Sequence, residues 1–475
     1  MKKSLIYITA TIILAVFILV SYYLAKTNKQ LLIEKSNDAV YSKIVKEYTY
    51  NMDGSVDFRY YHRLKILSYF AFHRVFGETF IVYNPKFQTL KINKCVTYMA
   101  DGKAVPSPAN AFNEVLPAFA TNSYPYNHLR EMVVTHTGLE INCEIELDYT
   151  IHSQAGFYPF LMANETVLQQ APVKELIINI NFPKDQKLTH QLLNFEENNK
   201  VNIKENKGNV AYNFNNLPSH NTEKQYAHAI YPILAFSLTS DQTANCLKAL
   251  FENDETNDSI QYKVKELLEK DTTKFKTMEN IQQFVSGNIN YYPVPFKYTG
   301  FTSMHSIQVW NSKGGSEIEK TKLLLNMLKI AGFNAEPVGF CDSGLTNALV
   351  NPSTLSEYAV KVNLNGDDFF VSPIKTKILR ACEIYGNYKT VGLFAQETFA
   401  SAKKPDNQMV FSANIKIDAN NQVMGDSKLI LKGVVNNYPY LKYYSKNVEG
   451  KFANFGTQKI SNENKIGRAS CRERV

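Results

Sequence analysis

No histidine follows His305 in this chain of 475 residues, so the last third of the sequence offers no imidazole. The six cysteines, Cys95, Cys143, Cys246, Cys341, Cys382 and Cys471, are scattered, with no CxxC pair and no histidine at ligand spacing. That pattern encodes no zinc site and fixes no disulfide pairing, so buried free thiols are expected and no metal or other cofactor is called for. One tryptophan stands against 29 Tyr and 29 Phe, a balance that suits strand-rich domains. The formal charge is +8, but half of it belongs to Lys2, Lys3 and the last residues, where Arg468, Arg472 and Arg474 outweigh Glu473. With no Lys/Arg run and no basic-aromatic motif elsewhere, nucleic acid is excluded as a partner. Hydrophobic residues at 44% and charged residues at 20% exclude extended disorder, and the length implies two or three domains.

Charge is also missing from residues 4–25, which follow Lys2 and Lys3 in the layout of a secretory signal or a signal anchor. The run exceeds a signal core of roughly 7–15 residues and has no small-x-small site before Lys26. Residues 1–25 are therefore expected to be a retained membrane anchor, with the remainder on the periplasmic or extracellular face; secretion after cleavage is the alternative. Residues 26–49, polar and moderately helical, read as a linker.

From Tyr50 the pattern turns to period two. Phe58, Tyr60, His62, Leu64 and Ile66 alternate with Arg59, Tyr61, Arg63 and Lys65, and Ile141, Cys143, Ile145, Leu147, Tyr149 and Ile151 repeat the alternation. Turn signals at Asp53-Gly54, Asn84-Pro85, Asp101-Gly102 and Thr137-Gly138 separate such runs, which predicts an antiparallel β-sandwich over residues 50–238. Helical spacing follows over residues 258–270 and 271–288. A third helix opens at Ser316, where Ser316 and Glu319 form an S-x-x-E capping box and Gly332 supplies the stop. Strands are predicted at 335–340, 358–364 and 369–371, the last two joined at Asn365-Gly366. Helices first and sheet afterward describe an α+β domain over residues 239–396. Strands at 414–418 and 428–434 begin a third, β-type domain over residues 397–464. Residues 465–475 fit no pattern and read as a non-native tail.

Two segments carry a resemblance. ETFIVYNPKFQTLKIN, ADGKAVPSPANAFNEVLP and YNHLREMVVTHTGLE, between Glu78 and Glu140, resemble the bacterial β-rich domain of unknown function that precedes transglutaminase-like domains in exported proteins. NSKGGSEIEKTKLLLNMLKIAGFNAEPV, residues 311–338, resembles the nucleophile helix of the transglutaminase-like (papain-like) superfamily. The resemblance implies a Cys at the helix start, a His on the next strand and an Asp before a Pro on the strand after. This chain has Ser316, Tyr358 and Ser372 at those positions, so the triad is degenerate and no thiol catalysis is expected.

Other candidates are weaker in chemistry. Ser316 as a nucleophile lacks a tuned base, and Tyr358 with an ordinary pKa near ~10 is a poor one. His128, Arg130, Glu131 and His136 form a reactive cluster whose histidines are too far apart in sequence to be fixed as co-ligands. Cys341 beside Asp342 follows a strand and lacks the helix start that activates a thiol. The aromatic loop Tyr291, Tyr292, Phe296, Tyr298, Phe301 and Trp310 is the best binding feature, giving Tyr292, Phe296, Tyr298, Trp310, Ser316 and Tyr358 as the candidate binding set. The expected function is a non-catalytic, membrane-anchored envelope protein that binds a peptide, a glycan or another envelope protein, or scaffolds an assembly. The alternative is a serine-dependent acyl transferase or amide hydrolase using Ser316.

Overall fold

Alternating apolar and polar residues give this chain more sheet than helix. A computed structural model describes residues 37–195, 201–220, 231–238, 242–252, 254–269, 273–376, 378–380, 388–394, 407–417, 423–435, 460–461 and 465–466. The chain forms two compact units, Met1–Ala118 with Asn127–Leu238, and Phe119–Tyr126 with Thr239–Val475.

The first unit is built on an eight-stranded sheet. Its spatial order is β12 (Val201–Asn206), β13 (Asn209–Leu217), β10 (Val173–Asn181), β1 (Ala39–Tyr50), β2 (Val56–Ile66), β8 (Glu144–Ser153), β4 (Gln88–Tyr98) and β5 (Ala104–Pro106). Two three-stranded sheets accompany it, β11 (Leu188–Leu193), β14 (Ile233–Leu238) and β9 (Met162–Thr166), and β3 (Glu78–Tyr83), β7 (Arg130–Thr135) and β6 (Phe112–Val115). Both cover the apolar face of the large sheet. Leu234 and Phe236 pack with Ile44, Tyr48, Leu176 and Phe214, while Ile81 and Val134 pack with Leu147, Tyr149 and Ile151. The opposite face carries cross-strand ion pairs, Arg59 with Asp148, Arg63 with Glu144 and Lys43 with Glu175.

Three expectations need correction here. Residues 39–49, read as the end of a linker, belong to β1, which lies inside the large sheet between β2 and β10. Lys43, Lys46 and Glu47 made the segment look like a polar spacer, but each finds an acidic or basic partner, in Glu175, Glu165 and Arg59. The sheet is also not purely antiparallel, since β1 pairs with β10 in parallel, Tyr41 against Val173 through Thr49 against Asn181. The strand expected from Ile141 starts only at Glu144, because Asn142 has a positive φ of 71° and turns the chain. The apolar run of residues 4–25 lies outside the described residues, among which no helix is long and apolar enough to cross a membrane.

The second unit opens with helices α1 (Gln242–Ala249), α2 (Asp258–Glu269), α3 (Lys274–Asn288), α4 (Ser306–Ser312) and α5 (Glu317–Ile330). The short α1 and α4 were not predicted. A two-residue parallel pairing joins β15 (Asn290–Tyr291) to β16 (Gly314–Gly315), immediately before α5. The five-stranded sheet that follows has the order β20 (Ile378–Arg380), β19 (Asp367–Val371), β18 (Glu357–Leu364), β17 (Ala335–Asp342) and β21 (Tyr388–Gly392), all antiparallel. Asn365 and Gly366, with φ of 53° and 85°, make the predicted β18–β19 hairpin turn. Helix α5 touches α2, α3 and α4 on one side and β17 and β18 on the other. Its Leu323, Leu324, Leu325, Met327 and Leu328 are all buried. Beyond it, β22 (Gln408–Ile417) and β23 (Val423–Lys432) form a hairpin within a four-stranded sheet completed by β25 (Lys465–Ile466) and β24 (Ile460–Ser461). Lys465 and Ile466, read as the start of a non-native tail, thus pair with the strands before them, and residues 467–475 lie outside the described residues.

Phe236 is fully buried and sits edge-on to Tyr48 at 5.1 Å, joining β14 to the large sheet. Replacing Phe236 with Ala should cost about 3–5 kcal/mol of stability. Denaturant unfolding should show this as a lowered midpoint with an unchanged slope.

Candidate functional site

The backbone delivers Ser316 to the N-terminus of α5 through two glycines. Tyr292 donates its amide to the Gly315 carbonyl at 2.9 Å, and its ring lies so close to Gly314 that a Cβ there would stand 2.2 Å from Tyr292 Cζ. No residue larger than glycine fits at Gly314 unless Tyr292 moves. Ser316 then caps α5 with φ of −64° and ψ of 171°, and the expected capping box is present. Its amide donates to Glu319 Oε2 at 2.7 Å, while its side chain accepts from the Glu319 amide.

Glu319 is 1% exposed, and its other oxygen takes two further donors. The Met304 amide donates at 2.8 Å, and the Tyr126 hydroxyl forms a short hydrogen bond to the same atom. The Ser316 side chain lies beside that phenol. Burial first, then the Glu319 charge, push the Tyr126 pKa far above its ordinary value and keep it a donor. Tyr126 meets Tyr292 edge to face at 6.4 Å, and Phe119 stacks on Tyr298 at 5.6 Å. The segment Phe119–Tyr126, which groups with the second unit, therefore lies over the start of α5.

Two ionisable groups flank this point. Glu317 accepts from the Tyr358 amide at 3.0 Å, and burial raises its carboxyl to about 7. Lys320, one turn into α5, is fully buried, donates from Nζ to the Ile289 carbonyl at 2.7 Å, and is brought down to about 8 by burial. On another side of α5, Asp254 accepts from the Ser306 amide at 2.8 Å and from Asn326 Nδ2 at 2.7 Å. Lys322 stands 3.7 Å from the same carboxylate, and burial lowers its pKa.

Among the described residues no hydrogen bond joins the side chains of Ser316, Tyr358 and Ser372. Tyr358 is buried, its hydroxyl has no partner among the described residues, and burial drives its pKa far up, so it cannot act as a base. Ser372 turns its hydroxyl to the amides of Ile374 and Lys375, at 3.3 and 3.0 Å, and serves its own turn. Of the expected binding set, Ser316, Tyr292 and Tyr298 meet around Phe119–Tyr126, and Tyr358 joins through Glu317. Phe296 packs edge-on to Phe301 at 5.4 Å. Trp310 lies apart, in a groove against α2.

The remaining candidates are structural. His136 is buried between Thr79 Oγ1 at 2.9 Å and Cys95 Sγ at 3.7 Å, and burial lowers its pKa to about 4. Cys95, Cys143, Cys246 and Cys341 are free thiols, and burial raises Cys341 to about 11. Cys382 and Cys471 lie outside the described residues. No group of metal-ligating side chains is assembled among the described residues.

Comparison with known proteins agrees with a multidomain, β-rich protein of several sheets and few helices. The family described as a domain of unknown function with a solved structure, DUF3857, matches residues 52–220. A solved structure described as a putative protease from Parabacteroides distasonis ATCC 8503 is 30% identical over 77% of this chain and 72% of that one, with a TM-score of 0.69. The chain belongs to the same family as that Parabacteroides protein. A structure described as a putative cysteine protease from Cytophaga hutchinsonii matches 49% of this chain and 83% of that one at 10% identity, with a TM-score of 0.22, too slight a likeness to carry an inference. No functionally curated protein matches.

Two substitutions probe the site. Gly314→Ala should destabilise by about 1–3 kcal/mol, because the new methyl and the Tyr292 ring cannot share the space. Glu317 gives a pH signature. Its raised pKa means that the folded chain keeps a proton that the unfolded chain has lost, so stability falls as pH rises from 4.5 to about 7 and is level above. The loss is at most about 3 kcal/mol, larger than the roughly 0.3–1 kcal/mol that a helix N-terminus returns to an anion. Glu317→Gln should match the wild type near pH 4.5 and exceed it at pH 8 in denaturant midpoint.

Proposed function

We propose that the second unit is a transglutaminase-like α+β domain that has given up thiol chemistry and uses the start of α5 to hold a polypeptide segment. In this chain the held segment is its own Phe119–Tyr126. The observation that carries this reading is the Tyr126 hydroxyl bonded to Glu319 beside Ser316, at the position where the superfamily resemblance places a nucleophile. A serine whose neighbour is a phenol of raised pKa and not an imidazole has no base to form an alkoxide. The site instead offers what tyrosine recognition needs, a buried carboxylate acceptor beside an aromatic wall. With the charge-free run at residues 4–25, the protein is an exported, membrane-anchored component of a bacterial cell envelope that binds peptide or scaffolds an assembly.

A second reading, serine-dependent acyl transfer or amide hydrolysis at Ser316, is favoured by one observation. With its pKa near 8, Lys320 holds some free amine at neutral pH, as a general base requires. Its Nζ is committed to the Ile289 carbonyl, however.

A fluorophosphonate probe separates the two. No adduct at Ser316 is expected in the full chain, whereas labelling that Ser316→Ala abolishes would establish the enzyme. For the held segment, a peptide spanning residues 119–126 should bind Tyr126→Ala in calorimetry and bind the wild type at least about tenfold more weakly. Equal binding to both would contradict the reading.

A further inference from the structure

The only tryptophan of the chain lies in a surface groove between α2 and α4, of about 380 Å³, lined by Asp258, Ser259, Tyr262, Lys263, Glu266 and Trp310. That volume is at the small end of small-molecule sites. The indole is held in place. Lys313 Nζ lies 4.0 Å from its ring centre, and Phe284 packs against it at 5.8 Å. Tyr262 faces the same groove and is 78% exposed, an unusual state for a tyrosine on a well-packed helix.

We infer that this groove binds a neutral oligosaccharide, with the exposed Tyr262 ring as the stacking platform and Trp310 as a wall. An aromatic face carries the negative part of its quadrupole and attracts the polarised C–H face of a pyranose ring. The Asp258, Glu266 and Ser259 side chains at the edge match the hydroxyls that surround such a ring, as acceptors and donors. Charge argues for a neutral ligand. Lys263 and Glu266 neutralise each other at 2.8 Å and Lys313 lies over the indole, so no uncompensated cation lines the groove to hold an anion. The groove also offers an extended peptide little, because its walls are helix sides whose backbone groups bond within the helices, whereas strand-like peptides are read by sheet edges. Nothing in this assignment depends on the Ser316 site, and either can fail without the other.

Because Trp310 is the single tryptophan, its fluorescence reports on this groove alone. The full chain should be titrated with an N-acetylglucosamine tetramer, with cellotetraose and with a proline-rich peptide. A saturable shift in Trp310 emission with an oligosaccharide is expected. Tyr262→Ala and Trp310→Ala, followed by calorimetry, should each weaken binding by about tenfold or more, with thermal stability of the exposed Tyr262 variant unchanged. The assignment is overturned if neither oligosaccharide shifts the emission, if the peptide alone does so, or if binding survives Tyr262→Ala unaltered.

Discussion

The carboxylate of Glu319 is buried and draws donors from three separated parts of the chain: the Ser316 amide one turn before it, the Met304 amide in the loop ahead of α4, and the phenol of Tyr126. An ionised carboxylate out of water is tolerated only when its lone pairs are filled, and removing one partner leaves a penalty larger than the bond itself was worth. Glu319 therefore fixes the start of α5, the approach of the Met304 loop and the seating of Phe119–Tyr126 together. The glycine at 314 leaves room for the Tyr292 ring that meets the phenol, and the glycine at 315 leaves room for Glu319 itself, whose Cβ would stand 3.1 Å from an added Cβ there.

Polar groups recur along the rest of α5. Lys320 and Lys322 are buried with it, the first bonded to the Ile289 carbonyl and the second beside Asp254, which also holds Ser306 and Asn326. Buried ion pairs seldom add net stability, so these residues do not serve to tighten the core. They act as locators, each tying α5 to one surrounding element with directional bonds that apolar contact lacks. A helix held this way presents its N-terminus with little freedom, which suits a site that seats a side chain by geometry.

The legible parts of this fold were those whose signals are local. The capping box at Ser316 and Glu319 and the turn at Asn365-Gly366 involve residues within a few positions of one another, and both are present. The missed parts depend on partners far away in sequence. Strand β1 looked like a polar spacer because Lys43 and Lys46 find Glu175 and Glu165 only once the sheet is assembled. Tyr126 carried no signal at all, as its partner is 193 positions distant. Trp310 was grouped with Tyr292 because they are near in sequence, yet α4 turns the indole toward α2. Tuning of Glu317 and Lys320 was equally invisible, since burial causes it.

Nucleophile helices and capped structural helices share one geometry, and here the balance lies with the cap. Ser316 caps α5 beside Tyr126, Tyr358 is a buried phenol and Ser372 serves its own turn. The account stands or falls on whether Tyr126 and Glu319 act as a bonded pair. A double-mutant cycle with Tyr126→Phe and Glu319→Gln, read as unfolding free energy, tests that directly. The account predicts a coupling of about 1.5–3 kcal/mol, as for a buried hydrogen bond to a charged group; additive effects with no coupling would contradict it.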